Sequence, residues 1–234
     1  LSKTETIVAT DITFDKNGSQ FRIGERYFSM NLIGSFNVSN ALCAVSIARA
    51  LEIPWEVIEK ALAKFPRLEG RLEFVEAGQS FNVVVDFAHT PDSQKEVYET
   101  LKSMLPETKL ICVFGATGGG RDKWKRPEFG KIVANYCEHI ILTNEDPYDE
   151  NPLQIIEDIE QGILKARSSK SEIRNYEKRL DRREAIERAI SLAKPGDTVV
   201  ITGKGGEQWM ALAGGKKIRW SDTEIVRQSV SKVL

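Results

Sequence analysis

Four short stretches of this chain gather residue types that bind or activate small charged molecules. In "VVVDFAHTPDS", Asp86 ends an apolar run, His89 follows just beyond it, and Thr90-Pro91 opens the next segment. An acid at such a place can accept hydrogen bonds from a ribose, and a histidine there can touch a phosphate or move a proton near neutral pH. A lone histidine is more often a helix cap or a satisfied polar group, and His139 in "CEHIILT" is read that way.

The second stretch is "GATGGGRDKWKRP", Gly115 to Pro127, with Arg121, Lys123, Lys125 and Arg126 as four closely spaced cations. Glycines let backbone N–H groups approach a ligand, and a helix start adds positive potential. Together these suit an anion, either phosphate or carboxylate; the plain alternative is a flexible link with a solvated basic helix start. It is not a GxxxxGK[ST] phosphate loop, because no Lys-Ser/Thr follows. The third, "NEDPYDENP", carries the acids Glu145, Asp146, Asp149 and Glu150. Such acids can receive an amino group, but Asp and Asn beside proline also make turns and caps, and on residue types alone the turn is the stronger reading. The fourth, "GKGGEQ" from Gly203, would by itself be a plain turn.

The elements around these stretches place them at equivalent points. Residues 3–33 alternate around Asn17-Gly18, a hairpin signal. From Asn37 apolar residues recur at helical spacing, and Pro54 opens a second helix that Pro66 ends. Beyond that, strands are predicted at about 72–76, 81–86, 109–114, 139–143, 172–176 and 197–202. Helices are predicted at roughly 91–104, 124–136, 152–166, 181–193 and 222–232. Unbroken apolar strands such as "LICVF" and "TVVIT" imply burial on both faces, hence an α/β fold with a Rossmann-like, doubly wound, mainly parallel sheet. The boundary is expected near Gly70, giving domains 1–69 and 70–234. In such sheets ligands bind beyond the carboxyl ends of the strands, which is where all four stretches fall.

Composition removes several classes of function. The 33 basic and 34 acidic residues leave a net charge of -1, so bulk charge gives no argument for nucleic acid or a membrane surface. No apolar run approaches the ~20 residues of a membrane span and no signal peptide is evident, so a cytoplasmic protein is expected. Cys43, Cys112 and Cys137 lack CxxC spacing and are expected to be buried thiols, with neither a disulfide nor a zinc site. There is no histidine cluster for a metal and no GxSxG nucleophile elbow. The chain starts at Leu1 rather than Met, so a piece of a longer protein is expected.

Taken in order, "GSFNVSNALCA", "LEGRLEFV", "VDFAHTPDS", "GATGGGRDKWKRP", "NEDPYDENP", "DRREAIERAI" and "GDTVVITGKGGE" resemble the Mur ligases. Within that family they are most similar to the MurE branch, which adds the third residue, a diamino acid, to UDP-N-acetylmuramoyl-L-Ala-D-Glu. The resemblance runs from about Gly34 to the C-terminus. It implies three domains in the parent: one for the UDP-sugar, a central ATPase domain and a Rossmann-like C-terminal domain. The phosphate loop, Mg²⁺ ligands and carbamylated lysine of the central domain have no counterpart here. Residues 1–69 therefore look like the tail of that domain, and 70–234 like the complete C-terminal domain.

By the resemblance, Asn37 and Asn40 contact adenine, and Arg71 and Asp86 hold the nucleotide, Asp86 at the ribose. His89 matches the catalytic histidine near the phosphates. Arg121 matches the arginine on the incoming amino acid's carboxylate, and Glu207 the acid that takes its amino group, with Asp146, Tyr148 and Gly203 alongside. Lys123, Lys125 and Arg126 are candidate anion ligands. Two departures stand out: the family's DNPR, whose arginine marks diaminopimelate users, reads Asp146-Pro147-Tyr148 after Glu145, and Gly206 replaces a usual histidine. They leave lysine, another diamino acid or diaminopimelate open as substrate.

The implied parent reaction is ATP-driven amide formation through an acyl phosphate, with ATP as substrate and Mg²⁺ as cofactor. Its partners are the UDP-muramoyl peptide, ATP and a diamino acid, with no nucleic acid or membrane, and a monomer is expected. Without a phosphate loop the chain itself is expected to be inactive. The competing readings are a non-catalytic nucleotide- or amino-acid-binding module and a ligase with another substrate, such as a cyanophycin or folylpolyglutamate synthetase.

Overall fold

Asn17-Gly18 reverses the chain in the first of two compact units, Leu1–Leu68 and Glu69–Leu234. The structure is a computed structural model that describes residues 6–167 and 175–232. In the first unit, β1 (Thr10–Asp15), β2 (Gly18–Ile23) and β3 (Arg26–Met30) form an antiparallel meander. A side chain at Gly18 would collide with the Met30 carbonyl, so the hairpin needs glycine there. Alternation buries Phe21, Ile23, Phe28 and Met30, and the Phe21 and Phe28 rings stack across the register at 5.4 Å. Helices α1 (Ser35–Ala50) and α2 (Trp55–Lys64) close that core with Val38, Ala41, Val45 and Ile58.

The second unit alternates strand and helix as its apolar pattern requires. Its strands are β4 (Glu73–Phe74), β5 (Asn82–Asp86), β6 (Leu110–Phe114), β7 (His139–Leu142), β8 (Asn175–Lys178) and β9 (Thr198–Thr202). They lie in the order β4-β5-β9-β6-β7-β8, with only β4 antiparallel. The connecting helices are α3 (Pro91–Met104), α4 (Lys125–Tyr136), α5 (Pro152–Arg167), α6 (Arg182–Leu192) and α7 (Asp222–Val230). Alternate residues such as Val83, Val85, Val199 and Ile201 pack on α6 and α7. Helices α3, α4 and α5 pack against one another in sequence, and Phe114 meets Phe129 of α4 at 6.4 Å. The fold is therefore the doubly wound sheet expected from the strands. Of the strand predicted at 172–176, residues 172–174 lie outside the described residues. The short hairpin of β10 (Trp209–Ala211) and β11 (Lys217–Arg219) was not anticipated.

The cysteine expectation is corrected. Cys112 on β6 and Cys137, the residue after α4, form a disulfide with Cα atoms 6.1 Å apart, and both are fully buried. The strand and the helix end are brought together by the crossover, a tertiary relation that spacing along the chain does not reveal. Cys43 is exposed rather than buried, because it lies on the side of α1 opposite Ala41 and Val45.

Candidate functional site

Strand order changes direction where β9 inserts between β5 and β6, and a crevice opens beyond the carboxyl ends of those strands. A cleft of about 140 Å³ occupies it, lined from the loops after β5, β6, β7 and β9. The glycine-rich loop after β6 lies directly on the loop after β7: Gly118 donates to the Asp146 carbonyl at 2.7 Å, and a side chain at Gly118 would strike the Pro147 carbonyl. Packing of that kind, rather than mobility, explains the glycine there.

From the β5 loop come Phe87 and His89. The exposed His89 ring lies 4.6 Å from the Phe87 ring, and its Nδ1 meets the Phe87 carbonyl at 3.1 Å. A carbonyl only accepts, so Nδ1 is the donor and Nε2 is left for a ligand. The Arg71 guanidinium sits over Phe87 at 4.4 Å. Asp86 is buried beneath: its two carboxylate oxygens accept the N–H groups of Leu72 and Ala88, each at 2.7 Å. Burial raises its pKa, opposed by those two N–H groups. Asp86 and Arg71 are not among the residues lining the cleft. In the first unit, Asn37 donates to the Ile33 carbonyl and accepts from Asn40 at 3.3 Å, so the two amides are paired on α1.

The four cations after β6 differ in kind. Arg121 reaches the cleft and has no side-chain partner among the described residues. Arg126 is buried and bonded at 2.9 Å to both Glu150 and Asp158, while Lys125 pairs with Asp122 and the exposed Lys123 with Glu150. The expectation of four free charges is corrected to one among the described residues: Glu150 of the next loop and Asp158 of α5 take Lys123 and Arg126, and Asp122 of the same loop takes Lys125. Glu150 is held down to about 2 by the Gly120 N–H and by Arg126.

Acids line the same cleft as Arg121. Glu145 is buried and accepts from the Thr117 hydroxyl at 2.6 Å. Its burial raises its pKa, partly offset by the charge of Arg182. Arg182 itself is locked to Asp222 by hydrogen bonds of 2.9 and 2.7 Å, with both side chains wholly buried. Asp146 and Glu207 line the cleft too, and both are bonded by Lys204. Gly203, at φ 111, gives room to Glu145, and Tyr148, at φ 49, lays its ring on Gly119. Sequence reasoning missed Phe87, Thr117 and Lys204, and named Glu145 only as one of four loop acids for which a turn was the stronger reading. The signal for Lys204 was available: a lysine two residues past a fully buried strand needs a partner. Among the described residues no group of three or more His, Cys, Asp or Glu could hold a metal ion.

Residues 70–205 match the family model described as "Mur ligase, glutamate ligase domain", over half of the chain. The chain belongs to the Mur ligase family. It is similar to the UDP-N-acetylmuramoyl-L-alanyl-D-glutamate--2,6-diaminopimelate ligase of Aquifex aeolicus, with 43% identity over 92% of this chain and 43% of the relative. With the enzyme of the same name from Syntrophomonas wolfei it shares 38% over 97% of this chain and 46% of the relative. A solved structure of a ligase of that name superimposes with a TM-score of 0.65 at 30% identity, covering 99% of this chain and 46% of that one. The Mycobacterium tuberculosis folylpolyglutamate synthase shares the fold, with a TM-score of 0.65 at 15% identity over 96% of this chain and 47% of that one. This Mur ligase chain thus spans slightly less than half the length of these relatives.

Proposed function

We propose that the chain is the amino-acid-binding C-terminal domain of a MurE-type ligase, preceded by the tail of its ATPase domain. The parent would join a diamino acid to UDP-N-acetylmuramoyl-L-Ala-D-Glu in cytoplasmic peptidoglycan synthesis, and so serve cell-wall biogenesis, cell shape and division. One observation carries this reading: a single cleft holds a guanidinium without a side-chain partner among the described residues, Arg121, together with the carboxylates of Glu145 and Glu207. That charge pattern complements an amino acid with a carboxylate at one end and an amine at the other.

In the proposed reaction the peptide carboxylate attacks the γ-phosphorus of ATP and ADP leaves. The free amine then attacks the acyl carbon, inorganic phosphate departs, and the amine gives up a proton as the amide forms. Catalysis of this type is mainly positioning and charge neutralisation, with Mg²⁺ supplying charge to the phosphates when bound. The cleft's part is to fix the amino acid by its carboxylate and present the amine. His89, with Nε2 free at the cleft, is suited to contact a phosphate or receive a proton.

A second reading of the substrate has its own support. Tyr148 stands where diaminopimelate users carry arginine, and Arg126, another arginine lining the cleft, is already held by two carboxylates. Among the described residues the cleft then offers one cation without a side-chain partner, Arg121, which favours lysine or a similar monocarboxylate over the diaminopimelate of the named relatives. Phosphate release from ATP with UDP-N-acetylmuramoyl-L-Ala-D-Glu and a panel of amino acids tests both points on the 234-residue chain and a longer parent. Turnover is expected of the parent alone. A parent that ignores the muramoyl dipeptide would discard the cell-wall reading.

A further inference from the structure

We infer that Lys204 is a positioning residue for amine recognition: it withdraws Asp146 from the ligand and holds Glu207 with one oxygen open to the cleft. The inference rests on the cleft being the amino-acid site. Lys204 follows Gly203 in the loop after β9, and its side chain is 1% exposed. Its ammonium contacts Asp146 Oδ1 at 2.9 Å, Asp146 Oδ2 at 2.8 Å and Glu207 Oε2 at 2.6 Å. An ammonium has three donors, so all of them are spent and Lys204 has none for a ligand. Asp146 is equally committed, since Oδ1 also accepts the Ala211 N–H at 2.9 Å.

Glu207 differs. Only Oε2 is held, and the side chain remains 46% exposed. Glu145 is likewise held through one oxygen, by Thr117. Of three acids in one cleft, two therefore keep an oxygen for an incoming ammonium and the third does not. Lys204 also explains how three carboxylates share so small a space, because its charge offsets their mutual repulsion. A simple structural brace would stabilise the loops without setting which oxygen faces the ligand, and this distinction is measurable.

The test uses the full 234-residue chain, isotope-labelled, titrated with L-lysine and with L-norleucine, which lacks only the side-chain amine. In the wild type, lysine is expected to move the Glu207 carboxyl resonance and leave that of Asp146 in place. Lys204→Met is expected to cut the preference for lysine over norleucine about tenfold, the scale of one charge-assisted hydrogen bond, with norleucine affinity unchanged. Asp146→Asn/Lys204→Gln removes one charge of each sign, so it tests the same loss if the single variant fails to fold. Equal movement of Asp146 and Glu207, or an intact lysine preference in a folded variant, would overturn the inference and spare the site. Failure of the wild type to bind either amino acid would remove the site reading itself, and this inference with it.

Discussion

Arg121 differs from the other cations of its loop because no other side chain in the described structure claims it. Its proposed work is therefore all directed at the ligand. Arg121→Ala should weaken amino-acid binding about ten- to hundredfold, the loss of a bidentate carboxylate contact, with nucleotide affinity and melting temperature nearly unchanged. Calorimetric titration with each ligand separates the two, and equal loss of both would put the residue on the wrong partner. Glu150 is the opposite case, a residue whose work is internal. Its folded pKa of about 2 lies below the 4.5 of an unperturbed glutamate, so its contribution to stability is complete above 4.5 and lost as pH falls towards 2. Partial exposure limits that contribution to about 1–2 kcal/mol. Glu150→Gln should lower stability by this amount at pH 7 and flatten the acid limb between pH 4.5 and 2 in urea melts. An unchanged acid limb would mean that the Gly120 and Arg126 contacts carry no net energy.

At the scale of elements, the disulfide between β6 and the end of α4 makes a direct prediction. Alkylation of the unfolded, unreduced chain should label one cysteine of three, Cys43, and reduction should expose all three. Closing a loop of 25 residues' separation restricts the unfolded chain by about 3 kcal/mol, so reductant should lower the denaturation midpoint accordingly. Three labelled cysteines without reductant would remove the crosslink. This bond also marks the limit of what the sequence discloses. Strands β5, β6, β7 and β9 were legible because each is an apolar run buried on both faces, and the first hairpin because Asn17-Gly18 separates alternating segments. Strands β10 and β11 were not, since three residues each among glycines and lysines give no period to read. The site divides in the same way. Arg121 and Glu207 stand out in strand-end loops, whereas the pairing of Arg126 with Asp158 or Lys204 with Asp146 joins residues 32 and 58 apart. Only folding decides which of several like charges is consumed internally.

For the whole molecule, the division at residue 68 separates two sets of proposed binding residues. Every residue lining the cleft lies between Phe87 and Glu207, inside the second unit. The paired amides of Asn37 and Asn40, by contrast, sit on α1 of the first. If the two units contribute independently, the fragment 69–234 should fold by itself and bind lysine within about twofold of the full chain, the spread expected for distant, uncoupled sites. Nucleotide affinity should fall much further, because the proposed adenine contacts leave with the first unit. Titrations of the fragment and the full chain with lysine and with ATP give both numbers. A fragment that is folded, by its dispersion of amide resonances, yet binds lysine more than about tenfold worse would show that the amino-acid site needs the first unit.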